Sequence, residues 1–369
     1  MLEIDSLLLA DDLTGACDAA VHFAARGAET VVLISPCHPA HFPSVLAINT
    51  DSRNLSPSRA ECLISALAGL PGAHDTRLIF KKIDSTLRGN PGVEIRAAMH
   101  AFRRDVAVIT PAFPAMHRVV ERGLLRITCE PEFSPIQVAE LLRSQASLPC
   151  TEVMPQAIKQ AVESGAEFVC VDAACDADLD RIVAEAFDLA PRVLWVGSAG
   201  LASALAHARI PDSRQIPSKP ARRGPVLLCI GSEHHATVAQ MARLTAARAV
   251  RSLDASTATR ECILEAMHNQ EHVLLHFGVG RVPAERVCRL LADVPAAALV
   301  LCGGDTAYLV SRAMGAQQID LQYEIIRGVP WGYLRGGQFD GLPVATKSGG
   351  FGDADDLIQA VDFFSCLKP

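Results

Sequence analysis

Aromatic side chains are scarce in this sequence: Phe, Tyr and Trp make up 5% of 369 residues, although half of the chain is hydrophobic. The apolar content is therefore mostly Ala, Val, Leu and Ile, which suits strands buried between helix layers better than a β-sandwich. Positive charge is also short. The formal net charge is −7, and no block of Lys and Arg stands out. A nucleic-acid binder needs a basic face to neutralise phosphates, so that class is set aside. The twelve cysteines form no C-x-x-C pair and no regular ladder. Several of them (Cys170, Cys229, Cys302) sit inside apolar runs, where Cys behaves as a small hydrophobe. Neither a disulfide framework nor a zinc site is expected, and a reducing cytoplasm is the expected compartment. Long apolar runs are missing too. The N-terminus, MLEIDSLLLADD, has no basic n-region and one short apolar stretch, so neither a signal peptide nor a membrane partner is expected.

What is present is alternation. Apolar, β-branched runs near 6–10, 31–35, 45–50, 78–83, 105–110, 168–173 and 193–198 read as strands. Amphipathic stretches at 15–26, 57–69, 91–103 and 176–189 read as helices between them. Residues 209–224 break the pattern with three prolines and no apolar periodicity, and read as a linker. A second alternation follows, with strands near 225–231, 272–277, 297–302 and 342–346. The expected fold is α/β with two domains, 1–208 and 225–369, each a mainly parallel sheet flanked by helices, with an interdomain cleft. Ligands in such sheets bind outside the carboxyl ends of the strands. The polar and glycine-rich clusters fall at those ends.

In the first half, strand 6–10 runs into Asp11-Asp12-Leu13-Thr14-Gly15. Two adjacent carboxylates repel, and Mg²⁺, a Lys or Arg, or sugar hydroxyls would offset the repulsion. Asp and Thr are equally good helix caps, so a capping role stays open. Strand 45–50 leads to Asn49-Thr50-Asp51-Ser52-Arg53, and strand 78–83 to Lys81-Lys82-Ile83-Asp84-Ser85-Thr86-Leu87-Arg88-Gly89-Asn90. Arg offers a planar fork to a carboxylate, and Asp can accept a hydroxyl proton. The pairing suits a small molecule that is both an anion and an alcohol. A solvated loop with internal salt bridges is the alternative. Strand 105–110 ends in Thr110-Pro111-Ala112-Phe113-Pro114, with Arg118 beyond. Its two prolines stiffen a wall of the cleft.

Three Gly/Ser turns follow strands further on: Gly197-Ser198-Ala199-Gly200, Gly231-Ser232-Glu233 and Gly303-Gly304-Asp305-Thr306-Ala307. Each opens a helix, whose N-terminus offers free N–H groups to an anion. Thr346-Lys347-Ser348-Gly349-Gly350-Phe351-Gly352-Asp353 joins a strand to the final helix. It resembles a phosphate loop in composition but not in spacing. Gly278-Val279-Gly280-Arg281-Val282-Pro283 opens like a dinucleotide fingerprint, but Pro occupies the sixth position. The adjacent His234-His235 are poorly spaced for one metal on a helix and suit a capping or surface role. No residue is assigned to a metal.

Together these segments resemble the four-carbon acid sugar kinase family, long a domain family of unknown function. The likeness rests on ADDLTGACDAA (10–20), NTDSR (49–53), KKIDSTLRGNPGVEI (81–95), TPAFP (110–114), WVGSAGLASAL (195–205), IGSEHHATVAQ (230–240), CGGDTA (302–307) and LPVATKSGGFGDADDL (342–357). They follow the family order across nearly the whole chain. The resemblance implies ATP-dependent phosphorylation, with Mg²⁺, of a hydroxyl on threonate, erythronate or 3-oxo-tetronate. It implies that Asp11, Asp12, Arg53, Lys82, Asp84 and Arg88 serve the acid. It likewise implies that Ser198, Ser232, Gly303, Gly304, Asp305, Thr306, Gly349 and Gly350 serve the nucleotide. Charge places Lys347 near the phosphates. The sequence departs from the family after TPAFP: where the family has a Gly-Arg-Thr-like turn and a longer insert, this chain has Met116-His117-Arg118-Val119-Val120.

The expected mechanism has Asp84 first, and Asp12 second, as the base for the substrate hydroxyl, with Lys347 assisting. Closure about 209–224 would exclude water. Two rivals remain at this point: a non-catalytic protein that binds both ligands, and an NAD-dependent hydroxy-acid oxidoreductase. The sequence leaves open whether the chain is a monomer or a homodimer.

Overall fold

The computed structural model describes residues 4–37, 42–70, 72–73, 76–211, 218–220, 224–278 and 282–365. The expected linker at 209–224 and the glycines of 278–283 therefore lie partly outside the described residues. The chain forms two units: Met1–Thr30 with Pro36–Arg214, and Val31–Ser35 with Gln215–Pro369.

The sheet of the first unit is wholly parallel. Its strands run in the order Val45–Asn49, Ser6–Ala10, Leu78–Lys82, Val193–Gly197, Val106–Thr110, Phe168–Val171 and Cys150–Val153. Every inner strand is buried along its length, because helices cover both faces. Leu7, Leu8, Leu9, Phe80, Ile109 and Trp195 are among the fully buried side chains. Strand order reverses at Ser6–Ala10, which lies between Val45–Asn49 and Leu78–Lys82. That reversal opens a crevice at the carboxyl ends of these three strands. A separate three-stranded antiparallel sheet follows the proline loop: Arg118–Glu121, Leu124–Ile127 and Ile136–Gln137.

The second unit begins with five parallel strands, in the order Val250–Asp254, His272–His276, Val226–Ile230, Ala298–Cys302 and Pro343–Lys347. An antiparallel extension continues it, through Val329–Arg335 and Gln318–Ile326 to Thr30–Leu33. The last strand comes from the other end of the sequence and registers Val32 against Ile319. Trp331 fills the core beneath the Asp356–Phe364 helix, with its ring 5.3 Å from Phe363 and 6.2 Å from Phe364. Among the described residues no helix is long and apolar enough to cross a membrane.

Candidate functional site

In the first unit three adjacent strands end in charge. Asp11 follows Ser6–Ala10, Arg53 follows Val45–Asn49, and Lys82 closes Leu78–Lys82. Asp12 is also the N-cap of the Leu13–Ala24 helix: Oδ1 accepts the Gly15 N–H at 3.0 Å, and Oδ2 accepts the Thr14 hydroxyl at 2.7 Å. The capping role that the sequence left open is thus real and shares the side chain with the cluster. Gly15 is required here because a Cβ would collide with Asp12 Oδ1. It would also stand 3.2 Å from Lys82 Nζ, so the carboxylate and the ammonium face one small space.

Arg53 ties the cluster together. Nε donates to Asp11 Oδ2 at 2.7 Å, Nη2 donates to Asp11 Oδ1 at 3.0 Å and to Asp12 Oδ1 at 2.8 Å, and Nη2 lies 3.6 Å from Asp84 Oδ1. Arg88 grips Asp84 with its own fork, Nε to Oδ2 at 2.9 Å and Nη2 to Oδ1 at 2.6 Å. The Thr86 hydroxyl and the amides of Thr86 and Arg88 also donate to Asp84 Oδ2. Gly89, at φ +84°, lets this loop lie on Arg53, for a Cβ there would stand 3.1–3.3 Å from its carbonyl oxygen, Cγ and Cα. All six expected acid-binding residues therefore meet in one cluster.

Burial would raise the Asp84 pKa, but Arg88 and Arg53 outweigh it and hold the carboxyl well below the usual carboxylate range. Such a group is a weak proton acceptor, and its oxygens are already crowded with donors. This geometry argues against Asp84 as the base. Asp12 Oδ2, by contrast, accepts one hydrogen bond, from Thr14. Among the described residues Nη1 of both Arg53 and Arg88 has no acceptor, and Lys82 Nζ donates to Ile83 O alone, at 3.0 Å. Arg88 is the exposed member, its side chain 66% accessible.

Lys81 belongs to the interior instead. Its ammonium is fully buried 2.8 Å from Glu94, a pair that sequence reasoning missed because Glu94 lies in a helix thirteen positions on. Arg118 is buried beside the cluster, within electrostatic reach of Asp84 and Arg88, and Nη1 donates to Met116 O at 2.5 Å. His117 adopts a left-handed φ of +66°, a conformation that glycine reaches without strain.

The second unit gathers its glycine turns in the same manner, at the ends of Val226–Ile230, Ala298–Cys302 and Pro343–Lys347. A Cβ on Gly231 would collide with Thr306 Oγ1, and one on Gly349 with Ser232 Oγ. Gly303, at φ +97°, precedes the Gly304–Ala313 helix, which has no side-chain cap. Its first amides have no acceptor within the helix, the usual anion-facing arrangement of a helix start. Ser232, Gly303, Gly304, Thr306 and Gly349 come together as expected, with Asp305 exposed in the first helical turn and Gly350 next in the loop.

Two expected members do not join this cradle. Ser198 lies in the first unit, 1% exposed, capping the Ala199–Arg209 helix and donating to Ala112 O at 2.7 Å. Its flanking glycines are explained by close packing, because a Cβ on Gly197 or Gly200 would press on Thr110 O or Ala112 O. Lys347 is placed under the loop, 1% exposed, with Nζ donating to Ser348 O at 3.0 Å. Burial lowers its pKa against the opposing pull of Cys302 and Asp356. The ammonium thus supports the loop from within, which charge alone could not reveal. Asp356 is pushed up to about 6 by burial, with Lys347 opposing. Sequence reasoning also missed Thr237 and Gln240, which are fully buried and reach the same loop. Their i, i+3 spacing inside IGSEHHATVAQ was the available signal. His234 caps the His235–Ala247 helix, accepting the Ala236 N–H at 3.3 Å.

The geometry first defines a class: a two-unit α/β protein with an arginine-and-carboxylate cluster on the strand ends of one unit and a glycine cradle on those of the other. The chain belongs to the family in which a sugar-binding N-terminal domain, matched at residues 6–205, precedes a nucleotide-binding C-terminal domain, matched at 265–357. It is 34% identical to the D-threonate kinase of Bordetella bronchiseptica, over 96% of each chain. It is 30% identical to the D-threonate kinase of Salmonella typhimurium, over 96% of this chain and 97% of that one. The D-erythronate kinase of Heliobacterium modesticaldum matches at 26% identity, over 97% and 96% respectively. Among solved structures, HI1011 of Haemophilus influenzae superposes with a TM-score of 0.72 at 19% identity, covering 97% of this chain and 100% of that one. That likeness bears on the fold alone.

Proposed function

We propose that the protein is a cytoplasmic ATP-dependent kinase of a four-carbon sugar acid, with D-threonate as the leading substrate. One observation carries the reading. Within one cluster of the described residues, Nη1 of Arg53 and of Arg88 has no acceptor, Lys82 Nζ donates to Ile83 O alone, and Asp12 Oδ2 accepts a single hydrogen bond, from Thr14. Donors in excess suit an acid's carboxylate, and a lone available acceptor suits its hydroxyl.

In this reading Arg88 and Lys82 receive the substrate carboxylate. Asp84 positions the two arginines. Asp12 Oδ2 takes the hydroxyl proton as the hydroxyl oxygen bonds to the γ-phosphorus of ATP and the bond to the β,γ-bridging oxygen breaks, releasing ADP. Phosphoryl transfer is mainly positioning and charge stabilisation, which the glycine cradle and the first amides of Gly304–Ala313 can supply to phosphates. Mg²⁺ bound with the nucleotide would neutralise phosphate charge. Asp305, exposed beside Gly304, is the oxygen donor that fits it.

The test is ADP release with ATP and Mg²⁺ over D- and L-threonate, D- and L-erythronate and 3-oxo-tetronate. The proposal expects turnover on D-threonate and a raised acid KM in Arg88→Met. Silence on every acid, with ADP still bound, would favour the non-catalytic rival.

A further inference from the structure

The loop between Lys347 and the final helix is held along one side. Thr237 Oγ1 donates to Gly349 O at 2.6 Å, and Gln240 Nε2 donates to Phe351 O at 3.2 Å and to Asp353 O at 2.8 Å. Both residues are 0% exposed, and they sit three apart on the His235–Ala247 helix. Two side chains thereby fix three alternate carbonyls, 349, 351 and 353. No described peptide bond is cis. A trans peptide points its N–H opposite to its C=O. The amides of residues 350, 352 and 354 are therefore turned away from the helix.

The consequence is electrostatic. A carbonyl oxygen facing a phosphate repels it, whereas a row of amides attracts it. Gly349 also rests against Ser232, and Gly303 approaches the Ser232 amide, so the oriented loop is one wall of the cradle.

We infer that Thr237 and Gln240 are positioning residues for the nucleotide phosphates: they hold the carbonyls of 349–353 back and present the loop amides to the ligand. This rests on the reading of the second unit as a nucleotide site. Neither residue touches the ligand. Releasing either sets a loop carbonyl free to rotate, which corresponds to about a tenfold loss of phosphate affinity.

The experiment uses the full chain and four variants: Thr237→Val, Thr237→Ser, Gln240→Leu and Gln240→Glu. ADP binding is followed by calorimetry, and KM is measured separately for ATP and D-threonate. Thr237→Val, Gln240→Leu and Gln240→Glu are expected to weaken ADP and raise the ATP KM about tenfold, leaving the acid KM within about twofold. Thr237→Ser, which keeps the hydroxyl, is expected to restore near-native ADP affinity. A purely structural role would lower Tm and move both KM values together, or neither. Either of those patterns overturns the inference, as does native ADP affinity in any folded variant lacking the donor. Should the unmutated protein bind no ADP, the nucleotide reading itself falls, and the inference falls with it.

Discussion

Replacing Arg53 by Met keeps most of the side-chain stem and removes the fork that joins Asp11, Asp12 and Asp84. Those three carboxylates are 4%, 5% and 5% exposed. Burial would raise the Asp11 pKa, but the Arg53 charge and hydrogen bonds, with help from Lys81 and Lys82, bring it below its ordinary value. Removing one partner of a buried pair costs about 3–5 kcal/mol, because the other charge is stranded. Asp84 keeps Arg88, and Asp12 keeps its bonds to Thr14 and Gly15, so the loss falls mainly on Asp11. With both lysines still near, the lower end of that range applies, about 3 kcal/mol. For a unit of this size that corresponds to a fall in Tm of roughly 6–12 °C. Thermal unfolding at neutral pH reads it directly. Asp11→Asn added to Arg53→Met removes the stranded charge, so the double variant should be more stable than Arg53→Met alone. The sign with pH also follows. A carboxylate with a lowered folded pKa contributes stability above its unfolded value near 3.8, and loses it as pH falls further. The gap between Arg53→Met and the native protein should therefore narrow below about pH 4. A loss under about 1 kcal/mol, or a double variant no better than the single one, would refute the assignment of Arg53 as the keystone of the cluster.

Asp12→Asn should cut kcat by about 10²–10⁴ with ADP binding unchanged, whereas Asp84→Asn should act first on the acid KM through Arg88. The opposite split in steady-state kinetics would return the base role to Asp84. Gly89→Ala must hold φ near +84° and press on Arg53. It should cost about 1–2 kcal/mol in stability and raise the acid KM, with the ATP KM unmoved. His272 is buried and accepts the Val226 N–H at 3.0 Å, and burial lowers its pKa. A base with a lowered folded pKa stabilises the fold above its unfolded value near 6.5, and that stability is lost as pH falls below it. Unfolding of the native protein should thus become easier from about pH 6.5 downward, and His272→Gln should flatten that slope.

The parallel core was legible because its strands are buried on both faces and read as continuous apolar runs. Every strand expected from such a run is present, from Ser6–Ala10 to Pro343–Lys347, and the helices expected at 15–26, 57–69, 91–103 and 176–189 are present with shifted ends. Several of the strands that escaped have a wet side. Cys150–Val153 and Val250–Asp254 are terminal strands of their sheets, and most of their residues are partly or fully exposed. Gln318–Ile326 is half-buried with interleaved polar residues, and Val329–Arg335, its hairpin partner, carries Pro330 and Gly332 inside the strand, although the turn at Arg327-Gly328, with Gly328 at φ +77°, was a usable mark. The exchange of Val31–Ser35 into the second unit had no local signal, since pairing with Gln318–Ile326 joins residues nearly three hundred positions apart.

The site was legible in its membership more than in its roles. Strand-end position sufficed to bring Asp11, Asp12, Arg53, Lys82, Asp84 and Arg88 together. It could not tell which carboxylate would be crowded by donors, so Asp84 looked like a base when Arg88 already holds it. Lys347 misled for a related reason. A lysine beside glycines suggests a phosphate, but burial turned its ammonium onto a neighbouring carbonyl. Ser198 shared the Gly/Ser signature of the cradle, while its strand belongs to the other unit.

The most direct test of the account is a single-pot reaction of the purified protein with ATP, Mg²⁺ and D-threonate, with ADP and the phosphorylated acid both quantified by mass spectrometry. Equimolar ADP and phosphothreonate are expected, with both formed about 10²–10⁴-fold more slowly by Asp12→Asn. ADP without a phosphorylated acid, or no acid-dependent ADP with any of the four-carbon acids, would contradict it.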